Sequence, residues 1–285
     1  MFPQLFSYGS FVLPTYGLLV ASGFAVGLVM ALRLARQEGL DRAAIYNLGV
    51  YVALAALLGA KLLLIFQDLD YYRQNPGTIF SFSTIQSGGI FYGGLLGGIG
   101  MALWYGRRVR LPFLKTADAF APGIALGHFF GRLGCFSAGC CWGEPTSLPW
   151  GVTFSNPYSH QTVGVPLDIA LHPTQLYEAA VELAIFAFLY RLYRQKRFHG
   201  QILGWYLLLY PAARFIIEFV RSHTEAAYFG GQLFSLAQWA GLLLVGFAVW
   251  LLWFSSSSRQ RLEPVSASHG HTVSQSRRAA KFSGD

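Results

Sequence analysis

Two arginines, Arg132 and Arg214, lie within stretches that are otherwise apolar. A cation at the middle of a bilayer costs roughly 2.5–3.5 kcal/mol even on insertion scales, so each needs a partner or a task. Arg214 has Glu218 four residues on, which puts the two on one helical face. That pair accounts for one cation and leaves the other. Two guanidiniums with few carboxylates nearby in sequence suit a phosphate, which an arginine fork grips through paired N–H groups. A site for an outer-leaflet phospholipid is one reading. Ion pairs and snorkelling side chains that satisfy one another are the alternative, and Lys61, a third cation within an apolar run, is near enough to its helix end to snorkel.

Cys135, Cys140 and Cys141 form the other reactive group. Three thiols allow at most one internal disulfide, so no disulfide framework holds the fold. A zinc site completed by His160 or His172 is a second option, although the spacing matches no standard structural site. Plain packing is the third. No metal is expected at these cysteines.

These residues need membrane helices to position them. Of the 285 residues, 54% are hydrophobic and only 12% charged, against about a quarter charged in soluble domains. The partner this composition demands is the lipid bilayer. The net charge of +8 is divided among the connections rather than gathered on one face, which argues for a topology signal and against nucleic acid. The first cation, Arg33, follows the first apolar run, so the basic start of a cleaved signal peptide is missing. The predicted architecture is an all-α polytopic membrane protein of about seven transmembrane helices, at 12–33, 45–66, 88–106, 114–134, 173–192, 201–220 and 232–254. An aromatic, polar loop from Gln67 to Ser87 joins the second and third. Between the fourth and fifth, residues 135–172 carry Pro145, Pro149, Pro157 and Pro166 with Gly143, Gly151 and Gly164, the composition of a small folded head. Residues 1–254 thus read as one integral membrane domain, and 255–285, rich in Ser, Arg and His, as a disordered tail.

Orientation follows from Lys and Arg. One set of connections holds Arg33, Arg36, Arg42, Arg107, Arg108, Arg110, Lys115, Arg191, Arg194, Lys196, Arg197, Arg259, Arg261, Arg277, Arg278 and Lys281; the other holds Arg73 and Arg221. The richer side is cytoplasmic, which puts the N-terminus and head outside and the tail in the cytoplasm. With that orientation Lys61, His128, Arg132, Arg214, Glu218, Tyr16, Tyr92, Gln175, Tyr177, Glu178, Gln232 and Gln238 all fall in outer halves of their spans. The run Gly88, Gly89, Gly93, Gly94, Gly97 and Gly98 is chiefly a surface for close helix packing. A second role, holding an anionic headgroup at a helix start, stays open.

The stretch Gly131-Arg132-Leu133-Gly134-Cys135-Phe136, with Gly139 and Gly143, resembles the signature of bacterial prolipoprotein diacylglyceryl transferases. Gly88-Gly89-Ile90-Phe91-Tyr92-Gly93-Gly94-Leu95 is similar to that family's Gly-Gly-x-x-His-Gly-Gly segment. His172-Pro173-Thr174-Gln175-Leu176-Tyr177-Glu178 is similar to its His-Pro-Ser/Thr-Gln-Leu-Tyr-Glu block, and Arg214-Phe215-Ile216-Ile217-Glu218-Phe219 with Arg221 to its Arg-Phe-x-x-Glu-x-x-Arg block. Tyr16-Gly17 also fits, and the resemblance spans roughly residues 10–254. It implies a multi-pass enzyme of the bacterial inner membrane that moves the diacylglyceryl group of phosphatidylglycerol onto the lipobox cysteine of a prolipoprotein signal peptide. The product is a thioether, glycerol 1-phosphate leaves, and the resemblance implies no metal or redox cofactor. On this reading Arg132 and Arg214 are catalytic and bind the phosphate, with Glu218, Tyr16, Gly93, Gly94 and Gly143 at the substrate. The chain departs from the family where Tyr92 replaces a His, Cys135 an Asn, and Cys140 stands near an acidic position. A phenol is a poor base at neutral pH. His128, four residues before Arg132, therefore joins Tyr92 as a catalytic candidate, with hydrogen-bonded packing as its bland alternative. Two rivals stay open: a phospholipid-dependent transferase with another acceptor, and a transporter.

Overall fold

The computed structural model describes residues 2–8, 11–81, 89–221 and 234–257. Gly88, Gln232 and the tail beyond Ser257 lie outside these. Each of the seven segments expected to be helical contains a long helix: α1 (Thr15–Gln37), α2 (Arg42–Gln67), α4 (Phe91–Arg108), α5 (Phe113–Ala138), α7 (Thr174–Tyr193), α8 (Gln201–Ile217) and α9 (Leu236–Ser257). Two short helices, α3 (Leu69–Gln74) and α6 (Pro157–Val163), lie in connections. Among the described residues, four helical stretches are long and apolar enough to cross a membrane: Thr15–Gln37, Arg42–Gln67, Gln201–Val220 and Leu236–Trp253. Large apolar side chains such as Leu57, Leu58, Leu243 and Trp253 are more than half exposed, the surface a lipid solvent requires.

Most boundaries move by a few residues, and two of the differences bear on the site or have a clear local cause. Residues 12–14 are not helical: β1 (Gln4–Tyr8) pairs antiparallel with β2 (Phe11–Pro14), and α1 begins only at Thr15. Pro14 is the cause, because the residue before a proline is held extended. At its other end α5 continues to Ala138, so Cys135 belongs to the helix and not to the insert.

The chain divides into two compact units, Leu32–Thr116 and the remainder. In the first, Asp41 caps α2 by accepting from the amides of Ala43 (3.3 Å) and Ala44 (2.9 Å), which satisfies two otherwise orphaned donors. Helices α2 and α4 approach closely enough that a Cβ at Gly97 would lie 2.5 Å from the Ala55 carbonyl, and one at Gly89 would lie 2.6 Å from Ala60 Cβ. Gly93 is likewise pressed on the Gly59 carbonyl. The glycine run is therefore a packing surface, as its spacing suggests.

The second unit contains most of α1 and α5, together with α7, α8 and α9. Its α1–α5 contact uses the same device: a Cβ at Gly27 would lie 2.6 Å from the Gly123 carbonyl. Fully buried Asp118 on α5 reaches the start of α8 and accepts from the amides of Gly200 (2.8 Å), Ile202 (3.0 Å) and Leu203 (3.0 Å), with Lys196 Nζ at 3.4 Å. A carboxylate on one helix thus caps another.

Between α5 and α7 the insert folds around Phe154, Val165 and Leu171, with Phe136, Trp142, Val152 and Val163 packed on them. Strands β3 (Val152–Thr153) and β4 (Ala170–Leu171) pair antiparallel. Asn156 caps α6, and left-handed Gly164 ends it. Backbone bonds from Gly143 to the His172 carbonyl and from Glu144 to the Val220 carbonyl, both 2.9 Å, tie the insert to the ends of the flanking helices.

Candidate active site

The centre of the site is Glu178, on the second turn of α7 and almost wholly buried. The start of this helix is fixed by two side chains that reach back into the insert. Thr174 Oγ1 donates to the Cys141 carbonyl at 2.7 Å, and Gln175 Nε2 to the Cys140 carbonyl at 2.6 Å. Tyr177 Oη accepts from Trp150 Nε1 at 2.8 Å and contacts His172 Nδ1 at 3.2 Å. With that turn pinned, Glu178 Oε1 lies 3.0 Å from Arg214 Nε, and Oε2 pairs with Arg132 Nε. Two guanidiniums, from α5 and α8, converge on one carboxylate from α7.

Each arginine has a further partner. Arg214 Nη1 pairs with Glu218 Oε2, and Glu218 Oε1 accepts from Ser235 Oγ at 2.8 Å. Arg132 Nε also donates to His128 Nε2 at 3.2 Å, while His128 Nδ1 lies 2.5 Å from Glu182 Oε1. With Arg132 Nε as the donor, His128 Nε2 is the acceptor, and Nδ1 faces Glu182. Tyr210 meets the imidazole edge to face at 4.9 Å between ring centroids.

The expectation of few carboxylates near the two arginines is therefore corrected. Glu178, Glu182 and Glu218 all face them, two from a helix distant in sequence. Glu182 is the residue that sequence reasoning missed. Its signal was the four-residue spacing from Glu178, which puts both on one face of α7. His128, expected as an available imidazole, is held at both ring nitrogens. What stays accessible is arginine: the side chains of Arg132 and Arg214 are 14% and 13% exposed against 3% for Glu178. Among the described residues Arg132 is engaged through Nε by both Glu178 and His128.

Tyr16 lies within electrostatic reach of Arg132 and the three cysteines, its ring against Gly134. Gly143 is buried, and a Cβ there would lie 2.7 Å from His172 Cβ and 2.8 Å from Thr174 Cγ2; close packing requires glycine. Tyr92, Gly93, Gly94 and Lys61 belong to the other unit. There Tyr92 is half exposed and Gly93 is buried in the α2–α4 contact.

The cysteines are free and partly buried, and their three sulfurs lie within 4.8 Å of one another. Gly139 and Cys141 both take left-handed backbone conformations, at φ of 82° and 61°, and this turn folds Cys140 and Cys141 back on Cys135. Hydrogen bonding among the sulfurs pushes the Cys140 thiol up and holds the Cys141 thiol well down, with the Arg221 and Arg132 guanidiniums adding to the lowering. His160 Nδ1 is turned instead to the Val165 carbonyl, at 2.8 Å.

Apolar helices with exposed hydrophobic flanks, with a buried network of arginines and glutamates in the second unit beside a small folded insert, define a polytopic membrane protein with a buried polar centre. The family model described as Prolipoprotein diacylglyceryl transferase matches residues 3–254. The chain belongs to that family. Among its relatives is a protein of Nitratidesulfovibrio vulgaris (strain DP4) named Phosphatidylglycerol--prolipoprotein diacylglyceryl transferase, 37% identical over 257 residues, covering 88% of this chain and 93% of the relative. Proteins of the same name from Clostridium tetani and Stenotrophomonas maltophilia are 32% and 33% identical, covering 78% and 88% of this chain and 86% and 90% of their own lengths.

Proposed function

We propose that this chain transfers the diacylglyceryl group of phosphatidylglycerol to the lipobox cysteine thiol of a prolipoprotein, the activity for which its relatives are named. The cysteine sulfur forms a bond to the glyceryl carbon, the bond from that carbon to the phosphate oxygen breaks, and glycerol 1-phosphate leaves with the electron pair. The observation that carries this reading is the convergence of Arg132 and Arg214 on Glu178. Two guanidiniums pre-oriented in a low-dielectric setting meet the charge that develops on the departing phosphate and need no reorganisation as it forms. Glu178 sets their spacing, and Glu218 orients Arg214. His128, held between Glu182 and Arg132, acts as a positioning residue for Arg132. Tyr16 and Gly143 border the acceptor side. Tyr92, Gly93 and Gly94 enter through the resemblance alone, and Tyr92→Phe tests the catalytic role expected of the phenol.

The same proposal includes seven membrane crossings in the bacterial inner membrane, with the N-terminus and insert outside and the C-terminus in the cytoplasm. Sixteen Lys and Arg in one set of connections against two in the other support it.

The test uses the full chain in detergent with phosphatidylglycerol and a synthetic lipobox peptide, read by peptide mass. The intact protein should add one diacylglyceryl group per peptide, and Arg132→Ala and Arg214→Ala should abolish transfer while still inserting. Normal turnover by Arg132→Ala removes the phosphate clamp. An intact protein that modifies no peptide removes the activity.

A further inference from the structure

The proposed reaction consumes a thiolate, and the imidazole nearest the arginines is already held at both nitrogens. The three-sulfur cluster offers another way to make one. A tetrahedral zinc ion with Zn–S bonds near 2.3 Å sets its sulfurs about 3.8 Å apart. Here all three sulfurs lie within 4.8 Å of one another, so a shift of about an ångström completes three corners of that tetrahedron. The cluster is also held in place. The carbonyls of Cys140 and Cys141 are anchored by Gln175 and Thr174, on the helix that carries Glu178. Cys141 keeps a left-handed φ of 61°, which costs a residue with a side chain roughly 1–2 kcal/mol. Such a conformation persists only where its surroundings enforce it. Cys135 lies three residues after Arg132 on the same helix, which brings the sulfurs next to the arginine pair.

We propose that Cys135, Cys140 and Cys141 bind one zinc ion as a three-thiolate site, whose open fourth position takes the thiol of the acceptor cysteine as a thiolate. This rests on the transferase reading above. Three protein ligands and a vacant fourth position are the pattern of a zinc site that does chemistry, whereas a purely structural site is closed by four. Soft sulfur donors select such a cation, and a thiol that coordinates it is deprotonated outright. Three thiolates on Zn(II) leave a single negative charge and four leave two; Arg132 and Arg221, which act electrostatically on these sulfurs, offset it. The acceptor's proton passes to water as its sulfur coordinates. The zinc-bound sulfur then attacks the glyceryl carbon, phosphate departs toward the arginines, and the thioether, a weaker ligand, leaves. Zinc stays divalent throughout. Proton, phosphate charge and electron pair all balance without an oxidant or a protein base.

The experiment uses the full chain purified in detergent. Metal analysis should find one zinc per chain, and Cys140→Ser should lose it. Stripping by chelator should abolish transfer to a lipobox peptide, and added Zn(II) should restore it, so the result does not depend on whether the variant folds. With Co(II) in place of zinc, sulfur-to-cobalt charge-transfer bands should intensify when the peptide is added. A peptide with Ser in place of Cys should leave them unchanged. Full transfer by metal-free protein, a mass two hydrogens lighter from a disulfide, or cobalt bands indifferent to the cysteine peptide would each overturn the inference. Transfer without metal leaves the proposed function standing; no transfer under any metal condition removes that reading itself.

Discussion

Glu178 holds the two guanidiniums that the proposed reaction assigns to the phosphate, so on that proposal the carboxylate both positions them and competes with the substrate. Replacing it by Gln keeps a side chain of the same length but removes the charge. The expected result is a fall in kcat of about a hundredfold, as the arginines lose their common reference point, with no rise in KM for phosphatidylglycerol, because the competitor is gone. A rise in KM at unchanged kcat would show Glu178 acting on ground-state binding alone. His128 supports a different test. If it only orients Arg132, His128→Phe lowers kcat and leaves the shape of the pH–rate profile unchanged; loss of one limb of that profile would restore it as the base. The arginines were legible in the sequence because an isolated cation in an apolar segment is costly and therefore conspicuous. Glu182 was not, since its partner is supplied by another helix. The three cysteines were legible as a group, but not which of zinc, disulfide or packing they serve, because their mutual approach depends on the left-handed turns at Gly139 and Cys141.

Among the helices, the contacts that hold the site rest on a few buried polar residues and on small residues at close crossings. Asp118 is the clearest case: one carboxylate satisfies three amides at the start of α8, the helix that delivers Arg214. Asp118→Ala orphans those donors and removes the carboxylate that lies 3.4 Å from Lys196 Nζ. It should cost about 3 kcal/mol or more, read as a lower melting temperature in detergent, with transfer lost as α8 loosens. A melting temperature within a degree of the parent would show that water satisfies the helix start instead. The helices themselves were largely legible, because runs of about 20 apolar residues leave little choice of structure. Their ends were less so. Pro14 holds the chain extended ahead of α1, and α5 runs on through Cys135, whose side chain is as compatible with helix as with loop. Asp118 looked unremarkable at the start of an apolar run, since nothing local marks a carboxylate that will cap a neighbour.

For the molecule as a whole, the decisive question is how many times the chain crosses the bilayer, and parity answers it. Among the described residues, four helical stretches meet a strict standard of length and apolarity; four crossings would return the C-terminus to the side on which the chain began. Seven would leave the termini on opposite sides. The three helices that miss the standard include two carriers of the site: α7 bears buried Gln175, Glu178 and Glu182, and α5 bears Asp118, His128 and Arg132. Their lower apolarity is what building a polar centre inside a membrane protein demands, since ionisable groups there face the protein interior and pair with one another. Seven crossings are therefore expected, with the basic connections in the cytoplasm. An epitope at the N-terminus should be accessible to antibody in intact spheroplasts. Green fluorescent protein fused after residue 285 should fluoresce, and alkaline phosphatase fused within the insert, after Thr162, should be active. Termini found on the same side would rule out seven crossings. An insert facing the cytoplasm would separate the arginine pair from any acceptor presented at the outer face, and the proposed reaction would lose its substrate.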